Sequence, residues 1–223
     1  MMNNLFSTFD PSTSMMFSLN WMSTFIIFMI MPLNFWLMPS RNNKLIELTM
    51  AKMHGEFKTL LGEKSKGFSI MFVTLFLFIL MNNLFGLIPY IFTSSSHLTF
   101  TLSLALPLWL SLMIFGWINN TQSMFAHLIP PGTPPILMPF MVMIETISNL
   151  IRPGSLAVRL TANMIAGHLL MSLLGESLVN SPSVTIMMLG VVQMMLMLFE
   201  TAVSIIQAYV FSILSTLYSS EIV

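Results

Sequence analysis

The sequence predicts an all-α integral membrane protein of about five membrane-spanning helices plus an amphipathic surface helix, the last two spans forming a long, strongly tilted hairpin. Of the 223 residues, 56% are apolar and 7% are Asp, Glu, Lys or Arg. Soluble domains carry roughly 25% of these charged residue types. None of them occurs from Gly67 to Ile144. Composition therefore excludes a soluble fold.

Apolar segments long enough to cross a membrane recur along the chain. A helix rises 1.5 Å per residue, so about 20 residues cross a hydrocarbon core of roughly 30 Å. No internal repeat divides the sequence, and we expect residues 1–223 to form a single polytopic membrane domain. The predicted spans are about 15–38, 68–92, 98–118, 136–175 and 184–219.

One short segment, 41–66, holds six of the eight basic residues. Loops rich in Lys and Arg stay on the side of synthesis, so we expect this segment on the inner side and the N-terminus on the outer side. Residues 43–61 mix charged and apolar side chains. Either an amphipathic surface helix or a solvated loop fits that mixture.

The last two apolar segments are too long for an upright crossing. Their 40 and 36 residues would form helices of about 60 and 54 Å if continuous. The polar turn at 176–183 separates them, which predicts a hairpin. Either the helices break, or they tilt by more than about 55° and are held by protein on one side. Arg152-Pro153-Gly154 is a candidate position for a break or a kink.

The strong charges inside this hairpin are Glu145, Arg152 and Arg159 in the first segment and Glu200 in the second. An ionised group at membrane depth costs about 2.5 kcal/mol or more, so it indicates function by default. The alternative is a structural Arg–Glu pair that pins two helices together. Such a pair would not explain the other polar residues around these charges.

Polar residues continue along the first long segment. Glu145, Arg152 and Arg159 are seven residues apart and, at about 100° per residue, project from nearly one helical face. Asn163 extends this stripe, whereas His168, nine residues after Arg159, turns about 180° away. We therefore expect two polar regions flanking Arg159, with Glu145 on the inner side and His168 on the outer side.

The second long segment has a similar polar seam. Gln193, Glu200 and Gln207 follow one another at intervals of seven residues. A glutamine inside a span often serves only to hold two helices together, and this interpretation is favoured for Gln193. Glu200 and Gln207 carry more weight because Glu200 lies near the middle of its span.

Small residues crowd the helix that carries the two arginines. Small side chains let another helix or a ring of helices approach closely, although packing within the chain explains any one of them equally well. They are Gly154, Ser155, Ala157, Thr161, Ala162, Ala166 and Gly167.

Residues 151–170, Ile-Arg-Pro-Gly-Ser-Leu-Ala-Val-Arg-Leu-Thr-Ala-Asn-Met-Ile-Ala-Gly-His-Leu-Leu, resemble the subunit a family of ATP synthases. The resemblance extends to residues 56–62, 107–109, 132–134 and 207–211, so it covers essentially the whole chain. The residues in these stretches are most similar to those of arthropod mitochondrial members of the family. The 24 methionines also favour an organelle-encoded chain.

The resemblance implies a stator subunit of the membrane-embedded Fo sector, which is not catalytic as an isolated chain. Its implied partners are the rotating c-ring, other Fo and peripheral stalk subunits, and membrane lipid, and the transported ion is the proton. The implied location is the mitochondrial inner membrane. The N-terminus would then face the intermembrane space and segment 41–66 the matrix.

The resemblance also implies roles for individual residues in a proton pathway. Arg159 is implied as the essential arginine, which faces a carboxylate of the ring and favours its ionised form. Glu145 would line the route to the matrix, and His168 and Glu200 would belong to the outer half-channel. The residues implied to lie close to the ring are Asn163 and Gln207.

Other protein classes fit parts of the pattern. A secondary transporter would suit midplane charges, but no inverted repeat is present. A proton-pumping respiratory subunit relies on intramembrane lysines, and no lysine lies outside segment 41–66. An intramembrane metalloenzyme could use Glu145, His168 and Glu200, but the sequence has no Cys and no His-Glu-x-x-His spacing. We therefore expect no metal, no cofactor and no nucleic-acid partner.

Overall fold

The computed structural model describes residues 5–14, 17–31, 37–62, 67–129, 134–179 and 181–222. Every regular element in these ranges is a helix, which confirms the all-α class. The α-helices are α1 Ile26–Ile30, α2 Arg41–Leu61, α3 Phe68–Gly86, α4 Leu98–Asn119, α5 Thr121–His127, α6 Met138–Val179 and α7 Ser183–Ile222. Short 3-10 turns occupy Leu5–Phe9, Leu19–Phe25, Ser94–Ser96 and Pro135–Leu137.

Within this described part of the chain, four helices are long and apolar enough to cross a membrane, namely α3, α4, α6 and α7. The first predicted span, 15–38, is only partly covered, because residues 15–16 and 32–36 lie outside the described residues. Its described part is a shorter apolar helix, Leu19–Ile30. This helix rests on α3, where the rings of Phe28 and Phe78 lie 6.1 Å apart between centroids.

Helix α2 decides between the two interpretations of the basic segment in favour of an amphipathic helix. Met53, Phe57 and Leu61, spaced four residues apart, are buried against the bundle, and the helix packs on α3 and α7. The helix begins after Ser40, whose Oγ accepts a hydrogen bond from the Asn43 amide at 3.3 Å. The opposite face, with its lysines, is exposed.

The core lies where α3 packs along α7. Aromatic and aliphatic residues of α3, including Phe72, Phe76 and Ile79, are buried there. Helix α7 meets them with a stripe of small hydroxyl residues whose side chains mostly hydrogen-bond to carbonyls of their own helix. Because the stripe is small, the two helices approach closely without unpaired hydroxyls. Its buried members are Ser204, Ser212, Ser215, Thr216 and Ser219.

The long hairpin is formed by two unbroken helices. Helix α6 spans 42 residues and α7 spans 40, which correspond to about 63 and 60 Å. Of the two alternatives left by the sequence, a break at Arg152-Pro153-Gly154 is not found, because α6 continues through Pro153. A proline inside a membrane helix is tolerated where neighbouring groups compensate the lost hydrogen bond, and Pro153 is buried against the bundle. Strong tilt stays a prediction.

Helix α3 ends at Gly86, before the end of the predicted span at residue 92. Residues 87–91 form turns that contain Pro89, and Tyr90 has a φ of 69°. The chain then inserts Ser94–Ser96, all buried, between α3, α4 and α6. A polar turn therefore lies inside the bundle near the C-terminal end of α3.

Phe57→Ala tests the docking of α2. The side chain is fully buried, and removing a buried phenylalanine costs about 3–5 kcal/mol. We expect a clear drop in the thermal unfolding temperature of the purified protein in detergent. Leu48→Ala, on the same helix at a side chain that is 53% exposed, should change it little. Equal thermal unfolding temperatures for the two variants would show that burial of Phe57 does not hold α2 against the bundle.

Candidate functional site

Arg159 lies on an exposed face of α6. Among the described residues it makes no ion pair and no hydrogen bond. Ser155, Ala162 and Ala166 are exposed near it on the same helix. An unpaired guanidinium is costly in an apolar layer. The small side chains leave room for a partner helix to approach, so this face suits a partner that carries a negative charge.

A cavity of about 660 Å³ lies between α6 and α7 on one side of Arg159. We call it the His168–Glu200 cavity, after the titratable residues that line it. His168 Nε2 and both carboxylate oxygens of Glu200 are buried without a hydrogen-bond partner among the described residues. Most of the remaining lining is apolar. Proton-exchanging groups are thus concentrated at one place between two membrane helices.

Gly167 makes room for the Glu200 carboxylate. A Cβ at position 167 would lie 2.5 Å from Glu200 Oε1 and 2.7 Å from Cδ, closer than van der Waals contact allows. The backbone of α6 therefore approaches the carboxylate directly. In the sequence this glycine is only one of several small residues, and nothing there distinguishes its role.

Asn163 and Gln207 are brought together across the hairpin. The Asn163 Nδ2 group donates a hydrogen bond to Gln207 Oε1 at 3.0 Å. Gln207 is buried, whereas Asn163 is exposed on α6 one turn after Arg159. Polar contacts of this kind hold membrane helices together. The pair fixes α7 beside the exposed arginine face.

A second cavity, of about 500 Å³, lies on the opposite side of Arg159 along α6. We call it the Glu145 cavity, and Asn149, Arg152 and Glu221 also line it. Arg152 Nη2 is 3.2 Å from Glu145 Oε1, and Nη1 is 2.8 Å from Glu221 Oε2. The guanidinium also lies 5.1 Å from the centroid of the Tyr218 ring. The helix-pinning ion pair considered from the sequence is therefore made by Arg152.

Arg159 lies between the two cavities and lines neither of them. It is 14 residues after Glu145 and nine before His168, or about 21 and 14 Å along a continuous helix. The two cavities share no lining residue in the described part of the chain. Two cavities that carry titratable side chains are thus offset along α6, and between them lies a cation with no partner among the described residues.

Comparison with known proteins identifies the family. A family model described as ATP synthase A chain matches residues 14–220. The chain is 60% identical over 223 residues to ATP synthase subunit a of Drosophila melanogaster, and 61% identical over 225 residues to that of Aedes aegypti. It is 60% identical over 227 residues to that of Locusta migratoria. Each match covers the whole of both chains.

The chain belongs to the ATP synthase A chain family. Members of this family are membrane subunits of the ATP synthase and are not catalytic by themselves. The resemblance drawn from residues 151–170 is confirmed by this membership.

Sequence reasoning missed Glu221, which the structure places against Arg152. A signal for it was present. Gln193, Glu200 and Gln207 are seven residues apart, and the same spacing continues through Leu214 to Glu221. Because the apolar Leu214 interrupts the seam, the stripe appeared to end at Gln207.

Gly167→Ala tests the arrangement around Glu200. The added methyl group must displace the carboxylate, and overpacking of this kind costs about 1–3 kcal/mol. We expect roughly tenfold slower ATP-driven proton pumping by the assembled complex in vesicles. Gly175→Ala, on the same helix, is the matched control, because a Cβ at position 175 meets no atom within 4 Å. Equal pumping by the two variants, with equal assembly on native gels, would contradict the arrangement.

Proposed function

We propose that this chain is the stator subunit of the proton channel of F-type ATP synthase, with two offset aqueous half-channels and an essential arginine against the rotating c-ring. The single observation that carries the proposal is the position of Arg159. It is exposed and unpaired among the described residues, between the His168–Glu200 cavity and the Glu145 cavity.

The exposed face of α6 is the surface that meets the ring. Ser155, Ala162 and Ala166 let ring helices come close, and Arg159 supplies the charge that a membrane-buried carboxylate needs. Asn163, hydrogen-bonded to Gln207, adds a polar contact next to the arginine. Other partners are the remaining Fo subunits, the peripheral stalk and membrane lipid.

The chain resides in the mitochondrial inner membrane, as its similarity to the insect subunits supports. Segment 41–66 faces the matrix because basic loops stay on the side of synthesis. The N-terminus then faces the intermembrane space. In this orientation the His168–Glu200 cavity opens toward the outer side and the Glu145 cavity toward the matrix.

The outer half-channel loads the ring. Protons reach His168 and Glu200, whose buried polar atoms have no partner among the described residues and are available for proton exchange. Glu200 passes the proton on toward a ring carboxylate beside Asn163 and Gln207. The carboxylate must be neutral before it rotates into lipid, because an unpaired charge there is costly.

The inner half-channel unloads the ring. Glu145 and Glu221 accept protons released on the matrix side, and both carboxylates contact Arg152. The guanidinium of Arg152 holds the two carboxylates next to each other in the Glu145 cavity, so a proton can pass from one to the other. Arg152 thereby positions the two carboxylates, a role separate from that of Arg159.

Arg159 prevents a direct leak between the half-channels. Its guanidinium stays protonated, so it repels a proton that would pass straight along α6 and favours the ionised ring carboxylate opposite it. Protons must therefore travel around with the ring. Each charge moved down the potential yields roughly 2.3 kcal/mol per 100 mV, which rotation delivers to the catalytic head.

Arg159→Lys is the deciding experiment. An ammonium can lose its proton when buried, whereas a guanidinium cannot. Without the positive charge, an ionised ring carboxylate is uncompensated in the membrane, which costs about 2.5 kcal/mol or more. We expect proton-driven ATP synthesis to fall roughly 70-fold and passive proton leak to rise, with assembly intact on native gels. Arg41→Lys is the control, because this exposed arginine at the start of α2 lines neither cavity. Wild-type synthesis in Arg159→Lys would refute the proposal.

A second test uses the sidedness of the two cavities. His168→Gln should change how the synthesis rate depends on outer pH, and Glu145→Gln how it depends on inner pH. In each variant the synthesis rate should fall about 100-fold under conditions where proton transfer on that side limits the rate. This is the lower end of the rate enhancement that one proton-transfer group provides. Both profiles are measured in vesicles with the two pH values set independently. If both variants alter the dependence on the same side, the two-channel arrangement is wrong.

A further inference from the structure

A third cavity, of about 850 Å³, lies between the N-terminal segment, the turn after α3, and helices α6 and α7. We call it the N-terminal vestibule. Its polar lining includes Asp10, Ser12 and Asn20 from the N-terminal segment, and Ser172 and Gln193 from the long helices. The proposed proton pathway uses none of these residues.

The vestibule meets the His168–Glu200 cavity at a shared wall. His168 and Leu87 line both cavities. The ring of Phe9 packs edge-on against the His168 ring, with 6.3 Å between centroids and an interplanar angle of 86°. The N-terminal segment is thus in direct contact with the imidazole at which the proposed outer half-channel begins.

Asp10 is the only carboxylate among the described residues that line the vestibule, where the other titratable groups are Tyr90 and His168. Asp10 Oδ1 accepts hydrogen bonds from the Ser12 amide at 3.0 Å and from Ser12 Oγ at 2.8 Å. Asn20 Nδ2 donates to the Asp10 carbonyl at 3.3 Å. The bond from the Ser12 amide, and then that from its hydroxyl, lower the pKa of Asp10. Asp10 is therefore a fixed negative charge at neutral pH.

We propose that Asp10 is the proton-collecting carboxylate at the outer entrance, and that the vestibule delivers protons from it to His168. This inference rests on the proposed function of the His168–Glu200 cavity. A fixed negative charge at the mouth of a cleft raises the local concentration of cations and so the rate of their arrival. Gln193 and Ser172 supply the polar wall between the entrance and the imidazole. Gln193 thus has a use beyond holding two helices together.

The physical signature is a defect that depends on proton supply. Proton collection limits the rate only when protons are scarce outside. Salt screens the attraction beyond about 8 Å at physiological ionic strength and beyond about 3 Å at 1 M salt. We expect Asp10→Asn to slow proton-driven synthesis about threefold at alkaline outer pH and low salt. This factor is the increase in local proton concentration that one negative charge produces about 7 Å away in water. The loss should vanish at acidic outer pH or high salt.

The experiment uses the assembled synthase in vesicles, with the synthesis rate measured against outer pH at low and high salt. Asp10→Asn keeps a side-chain oxygen for the Ser12 bonds but removes the charge, and Asp10→Glu should restore the rate. Glu176→Gln is the matched control, because it removes an exposed carboxylate from α6 that does not line the vestibule in the described part of the chain. Native gels establish equal assembly.

Several outcomes would overturn the inference. These are identical rate profiles for Asp10→Asn and wild type, a loss that is the same at every outer pH, or an equal loss in Glu176→Gln. Failure of the proposed function is distinguishable, because it would appear as wild-type synthesis in Arg159→Lys and His168→Gln. If those variants fail while Asp10→Asn does not, only the role of Asp10 is removed.

Discussion

Two arginines seven residues apart on α6 meet opposite surroundings, and the rest of the arrangement depends on this difference. Arg152 is held by two carboxylates and an aromatic ring. Arg159 has no partner within the described residues and lies on an exposed face. A cation inside an apolar layer must be compensated or hydrated. The first arginine is compensated within the chain, and the second has no compensating group among the described residues.

The ion pair of Arg152 with Glu221 also fixes the position of the C-terminal end of α7 against α6. Glu221 comes from the last turn of α7, so its ion pair ties the end of the hairpin to the middle of α6. Near the other side of Arg159, Asn163 and Gln207 make a second tie. Beyond the first tie lies the Glu145 cavity, and beyond the second lies the His168–Glu200 cavity. The same polar contacts that hold the hairpin therefore also divide it into compartments.

Small side chains serve two different purposes on α6. Ala157 and Thr161 are buried against the bundle, and Gly167 admits the Glu200 carboxylate. Ala162 and Ala166, in contrast, remain exposed beside Arg159. One helix thus packs closely inward on one face and keeps small side chains exposed on the other. In the function proposed above, this division lets the fixed subunit hold its own charges and still lie against the rotating ring.

The sequence by itself determined the all-α membrane class and the family, because these depend on composition, periodicity and a long motif. Seven-residue spacing also placed Glu145 and Arg152 on one face of a helix, where they now form an ion pair. Spacing on one helix cannot specify which neighbour covers which face. Only the tertiary structure decided that Arg152 is paired and Arg159 is not, that Gly167 meets Glu200, and that the N-terminal segment reaches His168. Each of these depends on contacts between residues distant in the chain, which are fixed by packing of whole helices.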